Sequence, residues 1–174
     1  MSNARYLNCI NTVMEMLSQR KYSDIKKEDE KIIAEKEDGT EIYVFTKIIE
    51  KLNVGELNNY ISLIQKININ HCILLYEGIP TPAVKNVINT IYDIGVLIEL
   101  FNVDDLQFNI TKHILVPLHK KLNKEECKEF KQQYGTSIPV LLKSDPVCRF
   151  YNFQKGDIIQ ITRRNSFVSY RIVR

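Results

Sequence analysis

The segment Asp145-Pro-Val-Cys-Arg-Phe-Tyr151 predicts a short helix, around which the last third of the chain is organised. The Asp145 carboxylate is suited to accept hydrogen bonds from free N–H groups at a helix start, and the fixed φ of Pro146 suits the first turn. A small β unit supported by helices is therefore expected here. Its strands are predicted from three apolar runs: Pro139–Leu142, Ile158–Ile161 and Val168–Val173.

A second helix is predicted upstream, where Asn123-Lys-Glu-Glu126 is close to a capping box. The Asn123 side chain can accept from the third helical N–H, while the Glu126 side chain reaches back to the cap. This helix should end near Gly135. Two turns are predicted further on, Gly156-Asp157 before a strand and Asn165-Ser166 between the last two strands.

The first 110 residues alternate helical and strand patterns, which predicts a mixed α/β domain. The helix near Arg5–Gln19 should bury one face, and the polar stretch Ser18–Glu30 is interpreted as a solvated linker or helix end. The other predicted elements are a hairpin of Lys31–Ala34 and Glu41–Phe45 about Asp38-Gly39, a helix from Asn53 to Lys66, a strand His71–Tyr76, a helix begun by Thr81-Pro82, and a strand Val96–Phe101.

Each of these helices has a predicted inward face, which we expect to be core packing. The faces consist of Tyr6, Leu7, Ile10, Val13, Met14 and Leu17 in the first helix, of Leu57, Tyr60, Ile61 and Ile64 in the second, and of Val84, Val87, Ile88 and Ile91 in the third.

Charge is unevenly distributed along the chain. Residues 1–110 contain 11 Lys+Arg and 16 Asp+Glu, whereas residues 111–174 contain 13 and 5. We place a domain boundary near Ile110, giving domains 1–110 and 111–174 in an α+β fold. The basic C-terminal domain suits an acidic protein partner or nucleic-acid phosphate. The net charge of only +3 argues against a free-standing, tight nucleic-acid binder.

The sequence predicts no membrane span, since it has no uninterrupted apolar run of about 18 residues. It also predicts no secretory signal, since the N-terminus lacks the charged, then apolar, then small-residue pattern. The four cysteines are widely scattered, which favours buried or half-buried thiols in a reducing compartment over a zinc site or disulfides. His113 and His119 are separated by Pro117 and do not share a helical face, so no metal site and no cofactor are expected.

A nuclease interpretation fails on one position. An acidic strand followed by Glu-x-Lys can hold a divalent metal for phosphodiester cleavage. Asp93 precedes the strand that contains Glu99, but residue 101 is Phe. We therefore interpret Glu99 as a solvent-facing residue of an otherwise apolar strand, and we expect no catalytic residues.

Four motifs in the last third together resemble the C-terminal assembly domain of RNA polymerase subunit 5, a domain that also has an archaeal counterpart. They occur in the family's order: His113-Ile-Leu-Val-Pro117-Leu-His119, Asp145-Pro-Val-Cys-Arg149, Lys155-Gly-Asp157 with the strand after it, and Tyr170-Arg-Ile-Val173. Cys148 replaces the usual Ala, and Arg163-Arg-Asn-Ser166 replaces an Arg-Pro-Ser turn. In the N-terminal part, Gly78-Ile-Pro-Thr81-Pro82-Ala83-Val84-Lys85 is similar to the family's jaw turn, with one extra residue.

The resemblance implies a non-catalytic subunit of a multisubunit DNA-directed RNA polymerase, with an N-terminal jaw beside downstream duplex DNA. It implies no small-molecule substrate and no membrane partner. Thr81, Pro82 and Lys85 become the DNA-proximal candidates. The implied docking residues for the largest subunit are His113, Pro117, His119, Asp145, Pro146, Arg149, Tyr151, Gly156, Arg163, Arg164, Tyr170 and Arg171.

The location implied is the nucleus for a cellular polymerase, and the virion or a cytoplasmic virus factory for a viral one. The short, Ile-, Asn- and Lys-rich chain with a jaw favours a eukaryote-like or large-DNA-virus version. Two alternatives stay open, a free-standing DNA-binding regulator that borrowed the C-terminal domain and a degenerate nuclease.

Overall fold

The computed structural model describes residues 2–135 and 137–174. The chain divides into two compact units, one ending at Phe108 and one beginning at Asn109. Both units combine helices with a sheet, which confirms the α+β class predicted from the sequence. No helix in these described ranges is long and apolar enough to cross a lipid bilayer.

The N-terminal unit is built on a five-stranded sheet in the order β1-β2-β3-β4-β5. Strands β1, β2 and β3 are antiparallel, whereas β3, β4 and β5 run parallel. The strands are β1 (Asp24–Glu28), β2 (Lys31–Glu35), β3 (Glu41–Ile49), β4 (His71–Tyr76) and β5 (Leu97–Asn102), and the helices are α1 (Asn3–Gln19), α2 (Val54–Lys66) and α3 (Pro82–Asp93). A 3-10 turn, Val103–Leu106, follows β5.

The two faces of this sheet bury different helices. Alternate residues of β3, β4 and β5, such as Phe45, Leu74 and Ile98, pack with α2 and α3. The intervening Ile73 and Leu75 are fully buried on the opposite face. Helix α1 lies on that face, because its C-cap Arg20 pairs with Glu99, the register partner of Ile73.

Local capping explains where the predicted helices begin. The Asn53 side chain accepts a hydrogen bond from the Glu56 N–H at 3.0 Å and starts α2. Thr81 starts α3, with Pro82 in the first turn. The hairpin of β2 and β3 is also confirmed, and Gly39 supplies its positive φ of 79°. Strand β4 lies between β3 and β5 and is almost wholly buried, as its continuous apolar run predicts.

Two details of the N-terminal prediction were wrong. The stretch Ser18–Glu30 is no linker, because it contains strand β1 and the buried Arg20 and Tyr22. Leu7 is 48% exposed, while Cys9 and Met16 are buried in its place. The predicted inward face of α3 is confirmed, since Val84 is buried and Val87, Ile88 and Ile91 pack half-buried against the same core cluster.

The C-terminal unit is a four-stranded sheet in the order β6-β8-β9-β7, with two helices. β8 pairs antiparallel with β6 and β9, whereas β7 and β9 are parallel. The elements are β6 (Leu118–Lys121), α4 (Lys124–Tyr134), β7 (Val140–Leu141), α5 (Pro146–Tyr151), β8 (Ile158–Thr162) and β9 (Val168–Val173), and a 3-10 turn, Ile110–Lys112, precedes them. Strand β6 was not predicted.

The sequence-predicted caps of this unit are confirmed. Asn123 and Glu126 form a reciprocal capping box with both hydrogen bonds at 2.8 Å, and Gly135 ends α4 with a φ of 74°. The Asp145 carboxylate accepts from the N–H groups of Val147 and Cys148 and starts α5.

Candidate docking surface

The C-terminal sheet packs a different helix on each face. On one face Ile159 and Ile161 of β8 lie with Cys148 of α5 and with Leu141 and Val173. On the other face Ile158 packs with Leu122 and with Phe130 of α4. Because side chains alternate along a strand, the register decides which predicted docking residue belongs to which face.

The two histidines of the entry motif have different environments. His113 is exposed, and its Nδ1 accepts a hydrogen bond from the Leu115 N–H at 3.2 Å. His119 lies on β6 opposite Ile161, and its Nδ1–H donates to the Pro117 carbonyl at 2.8 Å. Burial lowers the pKa of His119 below its ordinary value. Pro117 thus fixes the orientation of the His119 ring.

His119, Asp145 and Arg171 lie close enough for their charges to interact. The Asp145 carboxylate favours the protonated form of His119, whereas the Arg171 guanidinium opposes it. Arg171 also donates from Nη1 to the Val140 carbonyl at 3.2 Å and so ties β9 to β7. These side chains connect strands β6, β9 and β7 with the start of α5.

Several predicted docking residues build the fold instead of a free surface. Tyr170 packs on Phe130 with ring centroids 4.5 Å apart, and Tyr151 stacks on Phe153 at 5.2 Å. Gly156 turns the chain into β8 with a φ of 93°. Pro146 occupies the first turn of α5 after the Asp145 cap, and Arg149 is a half-buried residue of the same helix.

Arg163 and Arg164 are exposed in the turn between β8 and β9. They lie at the opposite end of β8 from Gly156. The turn is closed by a hydrogen bond from the Arg163 N–H to the Phe167 carbonyl at 2.9 Å. This turn begins two residues after Ile161, the register partner of His119.

Sequence reasoning missed an exposed apolar row beside this arginine turn. Leu118 pairs with Thr162, which pairs with Val168, so the three side chains lie in one row on one face. Leu118 is 66% exposed, and Phe167 of the adjacent turn is 59% exposed. We call the set Leu118, Thr162, Arg163, Arg164, Phe167 and Val168 the hairpin-end patch. The sequence signal that could have revealed this row is apolar Leu118 at the beginning of the basic edge strand β6.

The DNA-proximal candidates lie together on the first turn of α3. The Thr81 hydroxyl accepts from the Val84 N–H at 3.4 Å, Pro82 follows it, and Lys85 is exposed one turn later. The preceding loop presents Ile79, which is 92% exposed. This end of α3 therefore combines one cation with one apolar side chain.

The interpretation of Glu99 as a solvent-facing residue was wrong. Its side chain is only 10% exposed, and it accepts two hydrogen bonds from Arg20 at 2.7 and 2.8 Å and contacts His71 Nε2 at 2.7 Å. Burial alone would raise the pKa of this carboxyl, but Arg20 and His71 lower it to about 2. Asp93 is exposed at the end of α3 and is not part of this cluster.

The cysteines agree with the interpretation of buried or half-buried free thiols. Cys9, Cys72 and Cys148 are buried, and Cys127 is half-buried. Burial raises the pKa of Cys9 and Cys148 to about 11 and that of Cys72 to about 12, which leaves them as unreactive thiols at neutral pH. Within residues 2–135 and 137–174, no three His, Cys, Asp or Glu side chains are grouped as a metal site.

Comparison with known families identifies the class of the C-terminal unit. Residues 108–173 match the family described as RNA polymerase Rpb5, C-terminal domain, and so cover the unit that begins at Asn109. This unit therefore belongs to that domain family, and the resemblance inferred from the four motifs is confirmed.

Relatives of cellular and viral origin extend the match. A putative DNA-directed RNA polymerase subunit, 454R, of Invertebrate iridescent virus 6 is 46% identical over 89 residues, which are 44% of this chain and 48% of that protein. The chain thus matches about half the length of the viral relative. The subunit rpabc1 of DNA-directed RNA polymerases I, II, and III of Dictyostelium discoideum is 29% identical over 190 aligned residues, with 97% of this chain and 96% of that protein covered.

A more distant relative, subunit RPABC1 of Caenorhabditis elegans, is 26% identical over 140 residues, or 76% of this chain and 66% of that protein. The chain is thus related to DNA-directed RNA polymerase subunits over both of its units.

Proposed function

We propose that this chain is a non-catalytic structural subunit of a multisubunit DNA-directed RNA polymerase. The observation that carries the proposal is the coincidence of the Rpb5-like match, residues 108–173, with the compact C-terminal unit. The C-terminal unit docks on the largest subunit, and the N-terminal unit lies beside downstream duplex DNA. The chain acts where its polymerase acts, in the nucleus or, for a viral enzyme, in the virion or a cytoplasmic virus factory.

The hairpin-end patch is the part of the C-terminal unit best suited to docking. Exposed apolar side chains next to two arginines are typical of the anchors of protein interfaces. Arg163 and Arg164 can each make bidentate contacts with carboxylates of an acidic partner. The other predicted docking residues, such as Asp145 and Tyr170, then act by holding the sheet and α5 in shape.

Charge reversal at the turn tests this docking surface. Arg163→Glu/Arg164→Glu should reduce recovery of the coexpressed largest subunit about tenfold or more, since both arginines are exposed and neither side chain is packed into the fold. Arg171 is a poorer choice, because its reversal would also break the hydrogen bond to Val140.

The matched control is Lys128→Glu/Lys131→Glu on the exposed face of α4, which changes the net charge equally. Equal recovery of the largest subunit with both double variants would contradict docking through the hairpin-end patch.

The jaw proposal rests on the exposed start of α3. Lysine contacts to phosphate supply sequence-independent affinity, so Lys85 is expected to face the duplex backbone. A photo-cross-linking residue introduced at position 85 should label downstream DNA in the assembled polymerase. Lys66, at the far end of α2, is the matched control position. Labelling at position 85 that is absent, or no stronger than labelling at position 66, would contradict the proposed orientation.

A further inference from the structure

The N-terminal unit contains a cleft that neither the docking proposal nor the jaw proposal uses. It lies between the turn joining β1 and β2, strand β3 and helix α2, and its volume is about 750 Å³. Clefts of about 300–1,000 Å³ are the usual size of binding pockets. It is lined by Glu28, Asp29, Glu30, Lys31, Phe45, Lys47, Asn59, Tyr60 and Leu63.

The floor and one wall of the cleft are apolar and aromatic. Phe45 and Tyr60 meet edge to face with centroids 5.3 Å apart, and Phe45 is held in the core. Leu63, one turn along α2, is 41% exposed. Aromatic rings and an exposed leucine offer a surface on which the methylene stem of a long side chain can pack.

The lip of the cleft is acidic. Lys31 is paired with Glu28 at 2.9 Å, so these two charges offset each other. Asp29 and Glu30 are exposed, and no salt bridge joins either one to another described residue. Lys47 is the remaining cation of the lining, which leaves a net negative charge.

The negative field reaches the cleft floor. Burial raises the pKa of the Tyr60 hydroxyl above its ordinary value, and the charges of Glu56 and Glu30 raise it further. The carboxylates of Glu56 and Glu30 therefore favour a cation over an anion beside this ring. The wider N-terminal unit has the same sign, with 16 acidic and 11 basic residues in positions 1–110.

We propose that this cleft binds a lysine or arginine side chain of an extended basic protein segment. The methylene stem packs on Phe45, Tyr60 and Leu63, and the charged head reaches Asp29 and Glu30 at the lip. The cleft would give the N-terminal unit a protein partner of its own, separate from the DNA expected at α3. The inference does not depend on membership of a polymerase, because it rests on the cleft alone.

The test is titration of the full-length chain with a short capped peptide, Gly-Ser-Arg-Leu-Lys-Ser-Gly, followed by NMR amide shifts. Saturable shifts are expected at residues 28–31, Tyr60 and Leu63, and should weaken as salt rises. The same peptide with Glu in place of Arg and Lys should give no saturable shift.

Variants of the full-length chain decide the role of the lip. Asp29→Lys/Glu30→Lys should weaken binding about tenfold, because two exposed attractions become repulsions. Glu37→Lys/Asp93→Lys alters the net charge equally at exposed positions outside the lining and should leave the affinity unchanged. Leu63→Ser, at an exposed site, should weaken binding about threefold by removing part of the apolar wall.

Three results would overturn the proposal. The first is equal loss of affinity in both charge-reversal variants, which would indicate nonspecific attraction to an acidic unit. The second is saturable binding of the acidic peptide in the same cleft. The third is concentration-dependent shifting of the cleft amides without peptide, which would assign the cleft to a second copy of the chain.

Discussion

Glu99 is the one charged residue of strand β5, and contacts with Arg20 and His71 offset the cost of burying its carboxylate. Arg20 donates from both terminal nitrogens, His71 contacts the same carboxylate, and the guanidinium lies 6.0 Å from the Phe101 ring centre. The cluster joins the end of α1 to β4 and β5. A lone glutamate in an apolar strand was the sequence signal for such a pair, since buried charges are rarely unpaired.

Replacing Glu99 should therefore destabilise the N-terminal unit. Glu99→Gln leaves the Arg20 guanidinium buried without its carboxylate, and we expect a loss of about 3–5 kcal/mol in the free energy of unfolding. Urea denaturation measures this loss in the free energy of unfolding. Glu50→Gln, at an exposed position, should change stability by less than about 0.5 kcal/mol. Equal stability of the two variants would contradict a paired, buried Glu99.

The low pKa of the Glu99 carboxyl also predicts that the stability of the fold depends on pH in the acid range. The folded pKa of Glu99 is about 2, below the ordinary value of 4.5, so its stabilisation is present above pH 4.5 and is lost as the pH falls towards 2. The wild-type free energy of unfolding should fall by about 3 kcal/mol more than that of Glu99→Gln across this range. Parallel curves for the two proteins would rule this contribution out.

At the level of helices and strands, the sequence correctly predicted where helices begin, because capping depends on local side-chain chemistry. Asn53, Thr81, Asn123 and Asp145 all cap helices, because each presents a side-chain oxygen to free N–H groups. The edge strands β1 and β6 were missed. Their sequences, Asp24–Glu28 and Leu118–Lys121, are mostly polar and show no apolar alternation, since an edge strand is exposed and is defined by its pairing to a neighbour.

The capping box gives an element-scale prediction. Asn123→Ala removes the acceptor for the Glu126 N–H and should cost about 1 kcal/mol, which corresponds to about fivefold faster hydrogen exchange in residues 124–134. Asn123→Asp keeps an acceptor and is the control. Unchanged exchange in the alanine variant would mean that packing of Phe130 alone holds α4.

At the scale of the whole molecule, the two units differ in charge and in the task proposed for each. The motifs of the C-terminal unit were sufficient to identify its family, but not to separate residues that shape the unit from those that present a surface. Tyr170 and Arg163 illustrate the difference, since Tyr170 packs against Phe130 and Arg163 is exposed in a turn. That separation depends on strand register, which no single motif encodes.

The most direct measurement is affinity purification of the tagged full-length chain from cells or infected cells that express it, with mass spectrometry of the recovered proteins. We expect the two large polymerase subunits to be recovered in near-equal amounts with the chain, and to be lost with Arg163→Glu/Arg164→Glu. Recovery of the chain alone in gentle salt would contradict the assembly role and favour a free-standing DNA-binding protein.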